Sequence, residues 1–134
     1  MHDKISRIAW AILEEDVERA VIILRQWMEG VLSFYGRGKL KFERPIGSML
    51  DISVEQKGRT YIIKGRMECE GDGRTIDHIS RLILNGLIET SERLFGYGIP
   101  SPMSFNASIN PLFGKNATGK ISFVIQISPP RKTK

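Results

Sequence analysis

Apolar residues between Ile5 and Tyr35 recur at helical spacing. Trp10, Leu13, Val17, Ala20, Leu24, Trp27, Val31 and Phe34 stand alternately three and four residues apart, the a/d pattern of a coiled coil. Ile8, Ile12, Val21, Ile22, Ile23, Met28 and Leu32 widen the stripe beyond what one partner surface would cover. The pattern predicts one long N-terminal helix, capped at Asp3 and stopped by Gly36 and Gly38. A kink with Asp16 capping a second helix at Val17 is the alternative, but the seam keeps its phase through Glu14-Glu15-Asp16 and favours a single helix. Part of the stripe belongs to a core. The rest, with Trp10, Leu13, Val17, Leu24 and Trp27 as its candidates, would form an oligomer interface.

After the helix the period changes from 3.6 to 2. Leu50, Ile52 and Val54 alternate with Asp51, Ser53 and Glu55. After a turn at Lys57-Gly58, Tyr61, Ile63, Gly65, Met67 and Cys69 alternate with Lys64, Arg66 and Glu68. This is a hairpin with one buried and one wet face, ending at Gly71-Asp72-Gly73. Ile76, Ile79, Leu82, Ile83, Leu87, Leu94 and Phe95 then return to helical spacing behind Thr75 as N-cap, and Gly96 closes that helix. Met103, Phe105, Ala107 and Ile109 make a third strand that ends at Pro111. A loop is expected from Gly114 to Gly119, and Ile121, Phe123, Ile125 and Ile127 make a fourth strand. The fold class is therefore α+β in the order α-β-β-α-β-β: a four-stranded antiparallel sheet with two helices on one face. The opposite face, with Ser53, Glu55, Lys64, Arg66, Ser104, Asn106, Ser122 and Gln126, is a polar platform for a partner. Residues 1–128 make one domain and 129–134 a basic tail.

Charge changes this picture. The net charge is +5. Residues 1–35 carry four basic and six acidic side chains, so the excess lies in the later part, mostly between Arg37 and Arg66. Arg37, Lys39, Lys41 and Arg44 precede the hairpin. Lys57 and Arg59 crowd its tip, and Lys64 and Arg66 share its wet face. Tyr35 and Phe42 are interleaved with them. Lysine and arginine neutralise phosphates, and an open sheet face with nearby aromatics suits single-stranded nucleic acid. Each member also has a plainer reading, as a solubilising cation or, for Phe42, a core residue.

Other chemistry is poorly represented. Gly36, Gly38 and Lys39 lack the preceding strand, the spacing and the Ser or Thr of a phosphate-cradling loop. His2 is terminal, and His78 beside Asp77 has no third group at a telling spacing, so a surface or capping role is expected. Glu68, Cys69, Glu70, Asp72, Asp77 and His78 meet neither the ligand set of zinc nor the loop pattern of calcium. No enzyme activity, cofactor, metal or small-molecule substrate is expected. One cysteine excludes an internal disulfide, no stretch suits a membrane span, and the first residues lack signal-peptide zones; a cytoplasmic protein without a membrane partner is the expectation.

The run Gly73-Arg-Thr-Ile-Asp-His-Ile-Ser-Arg-Leu82, between the hairpin and an Ile-Pro loop, resembles the N-terminal domain of ribosome maturation factors over roughly residues 50–110. The same element order suits small secretion-chaperone-like folds. Neither resemblance assigns a site residue. Two readings result. In one, a non-enzymatic basic module contacts RNA or DNA through the 37–66 surface and open sheet face and self-associates through its first helix. In the other, a structural, assembly or chaperone-like component holds protein chains in a homo-oligomer or larger assembly.

Overall fold

The computed structural model describes residues 2–41 and 49–128. Seven elements follow one another: α1 (His2–Leu13), α2 (Val17–Gly36), β1 (Leu50–Lys57), β2 (Thr60–Asp72), α3 (Gly73–Gly96), β3 (Met103–Pro111) and β4 (Asn116–Ile127). Phe42, Arg44, the tail 129–134 and the capping side chain of Asp3 lie outside the described residues.

The expected single N-terminal helix is two helices. Asp16 N–H donates to the Ala11 carbonyl at 2.9 Å and Glu15 N–H to that of Ile12 at 3.0 Å, with Glu15 at a φ of 63°. Those bonds are the 6→1 and 5→2 pair of a Schellman stop, here with glutamate instead of glycine in the left-handed position. Asp16 then starts α2, its carboxylate accepting from Arg19 N–H at 3.2 Å. The apolar phase survives the break because Leu13 and Val17 remain four residues apart. α1 packs on α2 and α3, while α2 reaches β1.

All neighbouring strands are antiparallel, in the order β1-β2-β4-β3. The two longest strands, β2 and β4, form the centre. β2 and β3 run parallel with β4 between them, so α3 is the crossover of a split β-α-β unit. The β1–β2 hairpin turns through Gly58 and Arg59, with Gly58 at φ 62°. Gly-first two-residue turns of this kind match the twist of the strands. The β3–β4 loop is shorter than expected: β4 begins at Asn116, and Gly119 lies inside it, where an added Cβ would sit 2.4 Å from Ile76 Cγ2.

Helix α3 is capped by Asp72, not Thr75. The Asp72 carboxylate accepts from Thr75 N–H at 3.0 Å and from Thr75 Oγ1 at 2.8 Å. The helix ends in a second Schellman stop: Ile99 N–H donates to the Leu94 carbonyl, and Gly98 takes φ 82°.

The core lies between the helices and one sheet face. Ile8 and Ile12 of α1, Ala20 and Leu24 of α2, Leu87 and Leu94 of α3, and Ile63, Ile125 and Ile127 of the sheet line one small internal void. Two close approaches fix the packing, one within the sheet and one between helices. The Phe123 ring covers Gly65, and the Trp27 ring covers Gly86 of α3. Each glycine leaves space that the aromatic ring fills.

The heptad seam is therefore mostly spent inside the chain's own core. Val17, Leu24 and Trp27, offered above as interface residues, are buried and have little surface left for a partner. The ends of the seam differ: Trp10 is 55% exposed, Leu13 partly buried and Phe34 76% exposed. No helix among the described residues is long and apolar enough to cross a membrane.

Candidate nucleic-acid interface

The open sheet face carries the hairpin cations beside anions of the same strands. Pairing in β1–β2 sets Asp51 opposite Arg66 and Ser53 opposite Lys64, and β2–β4 sets Glu68 opposite Lys120. Arg66 lies 3.7 Å from Asp51, Lys64 lies 3.8 Å from Glu55, and Lys41 pairs with Glu70. These pairs are exposed and contribute little stability. Their effect is on the field. Asp51, Glu55, Glu68 and Glu70 offset Lys57, Lys64, Arg66 and Lys120 along this face. The β3–β4 half is uncharged apart from Lys120: Ser104, Asn106, Ser108, Asn110, Thr118, Ser122 and Gln126.

The predicted cations do not form one cluster. Lys57 precedes the turn that opens β2, and Arg59 is its second residue. At its other end, Asp72 N–H donates to the Lys39 carbonyl, and Leu40 bridges Gly71. Thirteen residues of strand put the two groups about 40 Å apart. Arg37 and Lys39 fall at the far end, Lys64 and Arg66 between, and Arg44 outside the described residues.

That far end gathers side chains the sequence pattern had not joined. Gly73 N–H donates to the Lys115 carbonyl at 2.9 Å, which ties the β3–β4 loop to the start of α3. Lys39, Arg74 and Lys115 line a groove of about 700 Å³ with Asp72 and Asp77. Arg37 follows the last residue of α2, two residues before Lys39. All four cations are exposed, and none forms an ion pair within 4.0 Å among the described residues. Asp72 is occupied by its cap. The hydrogen bonds from Thr75, side chain and then backbone, hold its carboxyl below the usual range against the opposing effect of desolvation, and Lys39 and Lys115 push the same way. Asp77 is held by Arg81 at 3.0 Å.

Aromatic rings accompany these cations. Phe34 meets Tyr35 edge-on at 4.9 Å between centroids, and Tyr35 meets His78 at 5.1 Å. His78 is thus a ring partner of Tyr35, while its neighbour Asp77 faces Arg81. In the loop, Leu112 is exposed and Phe113 is 89% exposed. Arg74, Lys115 and Phe113 escaped the sequence reading because the charge cluster was sought in one continuous run. The signal present was a Phe-Gly-Lys turn between two strands, set against a capped helix start.

Cys69 lies in the core, and burial pushes its thiol up to about 11. Among the described residues, no group of three or more histidine, cysteine or carboxylate side chains could hold a metal ion.

No family model matches the chain, and no curated protein is similar to it.

Proposed function

We propose that the protein is a small nucleic-acid-binding module whose contact surface is the end built by the α2 terminus, the start of α3 and the β3–β4 loop. One observation carries the reading: Lys39, Arg74 and Lys115 line one groove as exposed cations without an ion pair within 4.0 Å among the described residues, with exposed Arg37 two residues before Lys39 and the bare ring of Phe113 in the same loop as Lys115. Asp72 and Asp77 share the groove but are engaged by Thr75 and Arg81, which leaves the exposed cations without a close ion pair and available to phosphates, and exposed rings offer every base a stacking face. The open sheet face is the weaker candidate, because Lys64 and Arg66 are already paired with Glu55 and Asp51.

The test is fluorescence anisotropy with a short single-stranded RNA and its DNA equivalent across a salt series. Four phosphate contacts predict a log–log salt slope of about −3, or roughly a 60-fold loss between about 50 and 200 mM salt. Phe113→Ala should weaken binding by about 1–3 kcal/mol if the ring stacks on a base. Lys39→Glu with Lys115→Glu should abolish binding, and Lys64→Glu with Arg66→Glu should leave most of it. Absence of binding at low salt sinks the proposal. Loss confined to the Lys64/Arg66 variant moves the contact back to the sheet face.

A further inference from the structure

We infer that the outer edge of β3 pairs with the same strand of a second copy, joining two four-stranded sheets into one of eight strands about a two-fold axis at Ala107. The inference starts from the hydrogen bonds at the two ends of the β3–β4 ladder. Gln126 N–H donates to the Pro102 carbonyl, and Leu112 N–H to that of Asn116. Antiparallel pairing alternates strictly, so the even-numbered residues of β3 bond to β4. The N–H and C=O groups of Met103, Phe105, Ala107 and Ile109 therefore point away from the sheet.

The side chains of these same residues line the helix-facing side, and the edge leaves them incompletely covered. Met103, Phe105 and Ile109 are only partly buried, and Ala107 is exposed. Beside them Ile88 and Phe95 of α3 are exposed, and with Met103, Pro100 and Pro102 they line a groove of about 630 Å³ that is mostly apolar, with Glu92, Ser91 and Ser101 as its polar members. The strip thus offers both apolar surface and backbone groups that have no partner among the described residues.

Its composition points to the occupant. Edge strands are ordinarily protected by lysine, inward charge or a covering element. At the other edge, β1 has such protection: it carries Asp51, Glu55 and Lys57, and Arg25 of α2 reaches the carbonyls of Leu50 and Ile52 at 3.5 and 3.4 Å. β3, Met-Ser-Phe-Asn-Ala-Ser-Ile-Asn-Pro, has no charged residue over its length, and only Pro111 at its end breaks the row. A two-fold axis at its midpoint, Ala107, sets Phe105 opposite Ile109 of the copy, an aromatic against a β-branched residue. On the polar face it sets Asn106 opposite Ser108 and Ser104 opposite Asn110. These cross-strand pairs are favourable, and no charge meets its like. Nine residues make a strip about 30 Å long.

Sedimentation across a concentration series tests this with the full chain. The native protein should reach twice the 15.2 kDa of one chain. Ala107→Lys places two ammonium groups face to face at the axis. It should give a monomer with an unchanged circular dichroism spectrum, since Ala107 is exposed. Ala107→Cys should cross-link under mild oxidation into a dimer through position 107 alone, the native Cys69 being buried. A native monomer at high concentration overturns the inference. So does a dimer that survives Ala107→Lys or fails to cross-link at 107, which would place the interface elsewhere, for example around Trp10 and Ile22.

Discussion

Two chemically identical substitutions, Gly30→Ala and Gly86→Ala, should move stability in opposite directions. Both glycines lie inside helices without a positive φ. Alanine at either position gains about 1 kcal/mol from lower backbone entropy in the unfolded chain. At Gly30 nothing lies within 4 Å of the added Cβ, so the gain is realised. At Gly86 the Cβ would meet Trp27 Cη2 at 2.3 Å and Cζ2 at 2.5 Å. Ordinary contact requires about 3.5–4.0 Å. The ring must retreat by more than an ångström, yet it is buried between α2 and α3. Overpacking of this kind costs about 1–3 kcal/mol, and the depth of the clash favours the upper end. The net for Gly86→Ala is about 2 kcal/mol of destabilisation, against about 1 kcal/mol of stabilisation for Gly30→Ala. For a chain of this size that corresponds to roughly −8 °C and +4 °C in Tm. Urea unfolding followed by circular dichroism gives the difference directly. Trp27→Phe should recover part of the loss in Gly86→Ala, because a smaller ring leaves room. The reasoning fails if Gly86→Ala matches or exceeds the native protein, or if both variants shift the midpoint the same way.

Further outcomes follow from other positions. Leu24→Asp puts an unpaired charge into the core and should cost about 4 kcal/mol or more, which a loss of the cooperative unfolding transition would reveal. Cys69 should be silent toward a thiol reagent at pH 8 in the folded protein and reactive in urea; equal rates in both would refute its burial. The Cys69 thiol is raised, so the stability it contributes is complete below its unfolded value near pH 9 and is lost as the pH rises toward 11. Asp72 has a lowered value, so its contribution is present at neutral pH and disappears as the pH falls through and below the ordinary carboxylate range. Asp72→Asn should keep the cap but flatten that part of the acid limb; an unchanged pH profile would count against the cap as its source.

Strands were legible because one residue in two faces the core: the alternation at Leu50–Val54, Ile63–Cys69 and Ile121–Ile127 survives folding as burial. The helix break was not. It depends on Glu15 in a left-handed conformation that glycine normally marks, and the unbroken apolar phase argued against it. The cap of α3 was misplaced for a local reason, since Asp72 and Thr75 are both good caps and they bond to each other. The charge pattern was legible only along the chain. That Lys64 and Arg66 share a face follows from the period of two, but their acidic neighbours Glu55 and Asp51 depend on the hairpin register. The gathering of Lys39, Arg74 and Lys115 needs β2 to pair with β4, a contact between distant segments that no local pattern announces.

The central position of β2 and β4 also dictates the order in which the chain can organise itself. Each hairpin closes over a few residues and can form early. Neither buries its apolar face alone, because the sheet exists only once Asp72 finds Asn116 and the ladder continues to Tyr61 and Ile127. That search spans α3 and a whole strand, and the entropy of closing it precedes any reward from the ladder. Closing the seam between the hairpins should therefore limit the rate of folding, which a slowed refolding limb for substitutions at Ile63 and Ile125 would reveal. In the native state the amides of the seam should exchange with solvent only through global unfolding, while those of the β1 and β3 rims exchange through smaller openings.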